Sequence, residues 1–431
     1  MSGRALLMGL ALASALSSCA PKTSDRDGVV TLRFWGLGRE GEVVRDLMPE
    51  FQRRNPNIHV EVQQIPFTAA HEKLLTAFVG RVTPDLAQVG NTWIPELATL
   101  GALQPLDERI RRSAVVNPAD YFSGIWDTNV VEGAVYGIPW YVDTRLLFYR
   151  TDLLVAAGFP RPPRTWNEWV EAMRRVKARG GPGHFAVLLP VDEYEQPVIF
   201  GRQLGADLLR DGGRYGDFRS PAFRQAAGFY VGLYRNGLAP VLANAQIANV
   251  SQGFARGDYA FYITGPWNVG EFRRRMPPEM QGRWSTAPLP APDGSRDWPG
   301  VSLAGGASLA VFRGAAHPEE AWKVIEYLSE PAVQVRFHEL SGDLPPRASA
   351  WTAPSLAGDP QVRAFHEQLQ RVAPAPKVAE WEQIAAQIWQ CLEPAIRGHE
   401  SVDDALTDLD ARVDQILEKR RAVLARSPRA R

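Results

Sequence analysis

The sequence predicts an α/β protein of two lobes. Strand-like and helix-like segments alternate from residue 29 to residue 328, the pattern of sheets covered by helices. Once an N-terminal leader is set aside, about 400 residues remain, more than a single hydrophobic core organises. Beyond the leader no apolar run approaches membrane-spanning length, and 45% hydrophobic with 22% charged residues is ordinary globular usage.

Taken in order, residues 29–35 (VVTLRFW) read as a strand and 42–54 as one helix with Val43, Leu47 and Phe51 on a face. Residues 59–65 alternate as a strand, 69–80 are helical, and 85–89 form a short strand before a helix over 94–100. A second region opens at 135–140 (VYGIPW), with a strand at 145–149, a helix at 166–179 and a strand at 184–189. A helix over 223–236, strands at 258–264, 284–288 and 306–312, and a helix over 317–328 with Pro318 in its first turn follow. The segment 361–420 reads as helical with no strand signal, so its helices are expected on the outside of one lobe. The basic tail LEKRRAVLARSPRAR reads as a frayed helix end.

Residues 1–19 state where the protein works. Arg4 is a positive start, residues 5–16 (ALLMGLALASAL) are an apolar core too short to cross a bilayer, and Leu16-Ser17-Ser18-Cys19 closes it. This resembles a bacterial lipoprotein signal, in which the cysteine is lipidated and becomes the new N-terminus. Residues 20–28 (APKTSDRDG) suit a flexible tether. The expected location is therefore exported, periplasmic or at the cell surface, held to a membrane by the lipid on Cys19.

Lys plus Arg equals Asp plus Glu, 48 of each, and removing residues 1–19 takes Arg4 and no acid, leaving −1. A neutral balance gives no electrostatic reason to expect a nucleic-acid partner. With Cys19 lipidated, only Cys391 remains, so no intramolecular disulfide forms; its apolar helical setting (Ile384, Ile388, Trp389, Leu392) makes it a core residue. No His or Cys cluster at ligand spacing suggests a metal, and no cofactor is expected. The 13 tryptophans are many, and several sit beside Gly, Pro or Asn, which hints at exposed aromatic faces.

Motifs spread along nearly the whole mature chain carry a resemblance. They are Phe34-Trp35, Pro84-Asp85-Leu86, residues 101–107 (GALQPLD), 136–140 (YGIPW), 147–153 (LFYRTDL), 165–169 (TWNEW), 253–261 (GFARGDYAF), Gly265-Pro266-Trp267, Gly305-Gly306 and 344–347 (LPPR). Together they resemble the extracellular solute-binding proteins of ABC sugar importers, the maltose-binding-protein-like group. The resemblance implies a periplasmic binding protein fold of type II character, with a ligand cleft between two hinged lobes. Residues 28–139 plus 288–340 are then expected as lobe one, and 140–287 plus 341–431 as lobe two. It further implies a monomer that takes a sugar ligand, an α-glucoside disaccharide such as maltose or trehalose, to the membrane subunits of an ABC permease.

Sugar recognition needs fixed hydrogen-bonding side chains for hydroxyls and flat aromatic surfaces for the C–H face of a pyranose. Trp35 ends the first strand, and the turn after it could present an indole and a carboxylate; the resemblance puts a ligand carboxylate near Glu40. Asn91 lies just beyond a strand, where open α/β sheets place ligands, or caps the next helix. Related α-glucoside binders often carry Asp there, so Asn91 keeps an acceptor and loses a charge. Tyr141 and Asp143, two apart on an extended segment and therefore pointing the same way, match the family's sugar-facing tyrosine and aspartate. Asp143 could equally pair with Arg145. Trp267 matches the family's stacking tryptophan. Gly305 and Gly306 would let backbone amides approach a ligand. Arg347 offers a planar fork to vicinal hydroxyls, or a salt bridge between lobes. Glu195, in an acidic run, is a weaker candidate.

A glycosidase would need two of Glu40, Asp143 and Glu195 converging on one bond, whereas these come from separate lobes among donors suited to ground-state hydroxyls. No Gly-x-Ser-x-Gly elbow, His-Glu-x-x-His helix or phosphate loop occurs. A binding protein rather than an enzyme is the expectation. Polyamine, glycerophosphodiester or peptide binders share the architecture, but a phosphate ligand would want more than one cleft arginine.

Overall fold

The computed structural model describes residues 28–426 apart from 182 and 248; the leader, Cys19 and most of the tether lie outside the described residues. Two sheets form the frame. The first has strand order Ile58–Ile65, Val30–Leu37, Leu86–Gly90, Gly305–Val311, Ile138–Asp143. Its first three strands are parallel, and Gly305–Val311 runs antiparallel to both neighbours. The second has the order Trp284–Ala287, Leu146–Arg150, Phe261–Thr264, Val187–Leu188.

Side chains alternate across each sheet, and each face has its own core. In the first sheet Leu32 and Phe34 pack with Phe51, Trp322, Ile325 and Phe337, while Trp35 and Leu37 pack on the other side with Leu74, Ile94 and Leu97. In the second, Leu147, Phe261 and Ile263 meet helices Trp166–Gly180, Pro221–Arg235 and Trp381–Ile396; Phe148 and Tyr262 meet Trp267–Arg275 and Pro360–Leu369 on the opposite face.

Most elements stand where the hydrophobic periods put them. The expected helix over 42–54 is instead two, Gly38–Val43 and Met48–Arg54, with a 3-10 turn between; Pro49 has no N–H for a continuing ladder and sits in the first turn of a new helix. The C-terminal third does contain a strand: Val372–Ala373 pairs in parallel with Ser302–Leu303. Nor do its helices only cover a surface, since Trp381, Ile384, Ile388 and Leu392 are buried in the second core. Cys391 is buried there too, and burial pushes its thiol up to about 11.

The chain passes between the sheets three times. The first crossing lies between Asp143 and Leu146, past the expected 139–140 boundary, because the first sheet keeps its edge strand to Asp143. The return lies at 303–305 rather than at 288: Leu289 and Leu303 belong to the second core, and Ala291 exchanges backbone bonds with Arg164 and Trp166. The last follows helix Pro331–Ser341, where the Val142 amide donates to the Leu344 carbonyl.

Candidate functional site

At these crossings a cleft of about 600 Å³ opens between the sheets. Parallel strands deliver its first wall at their carboxyl ends: Val30–Leu37 runs into Glu40, and Leu86–Gly90 into Asn91. Strand Ile138–Asp143 supplies Tyr141 and Asp143, and Gly305 and Gly306 lie beside them. Across the cleft, Glu195 opens helix Glu195–Gln203 and Trp267 opens helix Trp267–Arg275.

Seven of the nine residues expected at the site, Glu40, Asn91, Tyr141, Asp143, Trp267, Gly305 and Gly306, line this one cavity, as does Glu195. Trp35 and Arg347 do not. Trp35 is 8% exposed, in the core beneath helix Phe67–Val79, its ring 4.9 Å from the Lys73 ammonium. Strand alternation turned it inward, with Phe34 taking the other face. Arg347 is buried: Nε donates to Asp120 Oδ2 at 2.7 Å, Nη1 donates to the Ser329 carbonyl at 2.6 Å, and Tyr121 lies under the guanidinium. Its fork is spent on protein acceptors, the salt-bridge alternative.

Asn91 serves differently from expectation. Its side chain makes no helix cap. The Ser308 hydroxyl donates to its Oδ1 at 3.0 Å, while its buried Nδ2 has no partner among the described residues. Of its two polar side-chain atoms, only this donor is left unpaired. Tyr141 is buried too, its oxygen accepting from Gln88 Nε2 at 3.1 Å. Trp267, by contrast, is 41% exposed, and its ring occupies the space where a Cβ on Gly265 would stand. Gly306 is equally constrained, with φ 127° and a would-be Cβ 2.2 Å from the Tyr141 carbonyl. That glycine lets its strand run tight against Ile138–Asp143.

Sequence reasoning missed several lining residues. Phe67 and Trp93 form an aromatic wall on the first lobe, ring centroids 5.5 Å apart. Asp343 and Glu382 bring two more carboxylates, and Arg145 a cation. Asp343 and Glu382 come from segments far along the chain whose local patterns are those of a turn and a helix start; only the crossings bring them in.

The cleft is acidic. Burial raises Glu40, Asp143 and Glu382 above the usual carboxylate range, and burial with the neighbouring Glu40 charge raises Asp343 well above it. Arg145 opposes this: Nη1 donates to Asp143 Oδ1 at 2.7 Å and Nη2 to Glu195 Oε1 at 2.6 Å. Buried acceptors without donors, a free amide donor and indole surface suit a neutral polyhydroxylated molecule better than an anion. Among the described residues no three acidic, His or Cys groups are arranged to hold a metal ion.

The chain is similar to known proteins. The profile of bacterial extracellular solute-binding proteins matches residues 35–335. The solved structure of the sugar-binding protein MalE from Xanthomonas citri is 51% identical, covers 92% of this chain and all of its own, and superposes with a TM-score of 0.88. An uncharacterized lipoprotein of Streptomyces antibioticus is 28% identical over 79% of this chain and 76% of its own. An arabinooligosaccharide-binding protein of Halalkalibacterium halodurans is 25% identical over 78% of this chain and 75% of its own. Two of these three are named as binding proteins, and this chain belongs to the family of bacterial extracellular solute-binding proteins.

Proposed function

We propose that the cleft captures an α-glucoside disaccharide, maltose or trehalose, and that the protein delivers it to the permease of an ABC importer. The observation that carries the reading is the pairing of a half-exposed indole, Trp267, with carboxylates from both sides of one cavity of about 600 Å³. A pyranose presents a C–H face to the indole and a rim of hydroxyls to the acids. The similarity to a MalE sugar-binding protein supports the substrate class. Glu40, Asn91, Tyr141, Asp143, Trp267, Gly305 and Gly306 are the proposed contacts, joined by Asp343, Glu382, Phe67 and Trp93.

The lobes are residues 28–143 with 305–341, and 146–303 with 345–426, closing around the sugar at the three crossings. The protein works as an exported monomer tethered through lipidated Cys19, a reading supported by the lipoprotein relative. No helix of the described residues is long and apolar enough to cross a membrane.

Calorimetric titration of residues 20–431 with trehalose, maltose, maltotriose, sucrose and glucose tests this. Saturable one-to-one binding of maltose or trehalose at roughly micromolar Kd, about 8 kcal/mol, is expected. Silence across the panel would overturn the glucoside assignment. Preference for maltotriose would favour a second reading, a longer oligosaccharide, which the arabinooligosaccharide-binding relative supports.

A further inference from the structure

Arg145 stands at the first crossing, two residues after Asp143, with a side chain only 12% exposed. Its guanidinium touches three cleft residues at once. Nη1 reaches Asp143, Nη2 reaches Glu195, and Cζ lies 4.8 Å from the centroid of the Trp267 ring. Its carbonyl is fixed as well, accepting from Ser302 Oγ at 2.9 Å, so the return segment holds the residue from behind. Each carboxylate gives Arg145 one oxygen only. Asp143 Oδ2 and Glu195 Oε2 receive no bond from the described residues and remain for other donors.

We propose that Arg145 is the positioning residue of this site: one guanidinium orients Asp143, Glu195 and Trp267 toward the ligand and joins the crossing to the second lobe. The proposal rests on the cleft being the sugar site. An uncharged sugar needs no cation to neutralise it, so the work of Arg145 falls on the protein's own groups. A planar fork can meet two carboxylates and lie on an indole at the same time; a lysine ammonium cannot.

The charges around it make the role testable by pH. Asp143 faces Arg145 and Glu195 and interacts with Tyr141 and Asp343, which in turn face Glu40; beyond Glu195 stand Glu193, Tyr194 and Glu382. All but Arg145 are acidic or phenolic. Burial pushes the Asp143 carboxyl up and Arg145 pulls it down. Without Arg145, burial and the Glu195 charge act unopposed, so Asp143 takes a proton at higher pH, which turns one of its oxygens from acceptor to donor and removes the charge that strengthens its hydrogen bonds.

The test uses Arg145→Gln and Arg145→Lys in the whole mature chain, titrated with maltose and with trehalose from pH 5 to 8. For Arg145→Gln the expected Kd at neutral pH is roughly ten- to a hundredfold weaker. The acid limb of binding should move up by about one pH unit. Arg145→Lys should restore most of the pH limb and little of the affinity. Carboxyl NMR of the unliganded proteins should show the Asp143 midpoint moved upward in Arg145→Gln. Wild-type Kd and an unmoved limb in Arg145→Gln would overturn the proposal. If the wild type binds neither sugar, the disaccharide reading fails by itself, and the Asp143 midpoint still decides for or against Arg145.

Discussion

Two tryptophans show how one residue type serves opposite ends. Trp267 is held at the cleft mouth by a glycine that leaves room for its ring, with much of the indole in solvent. Trp35 fills a core between sheet and helix. Trp267→Ala should therefore weaken disaccharide binding at least tenfold, about 1.4 kcal/mol, with the melting temperature of the unliganded protein nearly unchanged. Trp35→Ala should cost about 3–5 kcal/mol of stability through a cavity, with affinity retained by whatever fraction stays folded. Calorimetry and thermal melts on the pair check both, and an exchange of the two outcomes would reverse the assignments. The difference was hard to read locally, since both residues lie within two positions of a glycine and end or follow a strand. Trp267 lies after Gly-Pro at a helix start, where the apolar period is broken. Trp35 continues the alternation of its strand, and that period was the better guide. Arg347 was misjudged for another reason: its partner Asp120 lies 227 residues away, and no local pattern signals a distant carboxylate.

Among the elements, the parallel strands and their helices were legible because alternation and helical period change sharply at Gly and Pro. The long return over 288–304 was not, for it has little regular structure and is held by side chains. Gln368, fully buried on helix Pro360–Leu369, accepts from the Leu289 amide at 2.9 Å and donates to the carbonyls of Gly300 and Arg371 at 2.8 and 3.1 Å. Gln203 adds a second tie, accepting from the Trp166 indole and donating to the Val301 carbonyl. Gln368 thus substitutes for the missing ladder, and the Ser302–Leu303 pairing with Val372–Ala373 completes the attachment. Gln368→Leu keeps the volume and strands at least one buried amide and carbonyl. It should cost roughly 2–4 kcal/mol, seen as a lower denaturant midpoint with an unchanged m-value. A loss within about 0.5 kcal/mol, the range of a neutral surface change, would mean the return segment finds other partners.

Across the whole molecule, three crossings gather acids that the fold would be more stable without. Glu40, Asp143, Glu193, Asp343 and Glu382 all have carboxyl pKa values raised, mainly by burial. The folded protein therefore binds more protons than the unfolded chain from about pH 4, the usual carboxylate value, up to the raised values. Stability from this group is present below that window and declines as pH rises through it. Asp120 and Asp152 act the other way: although burial opposes it, hydrogen bonds from Ser349 and Arg347, and from Arg150, hold them low. Their contribution disappears only as pH falls below the ordinary carboxylate range. The unliganded protein should accordingly melt higher at mildly acidic pH than at pH 8. Asp343→Asn removes a carboxyl raised well above its ordinary value while keeping its shape, so it should raise the melting temperature at pH 8, flatten the slope toward acid, and weaken sugar binding. Saturating sugar should act like that substitution on stability, since hydroxyl donors satisfy the same acceptors; at a hundredfold excess over Kd the gain is about 2.7 kcal/mol. Thermal melts at pH 5.5 and 8, with and without sugar, test the argument. If Asp343→Asn lowers the melting temperature equally at both values, Asp343 is a structural acceptor. If it raises it only at pH 8, the acidic cleft is a stability cost retained for binding.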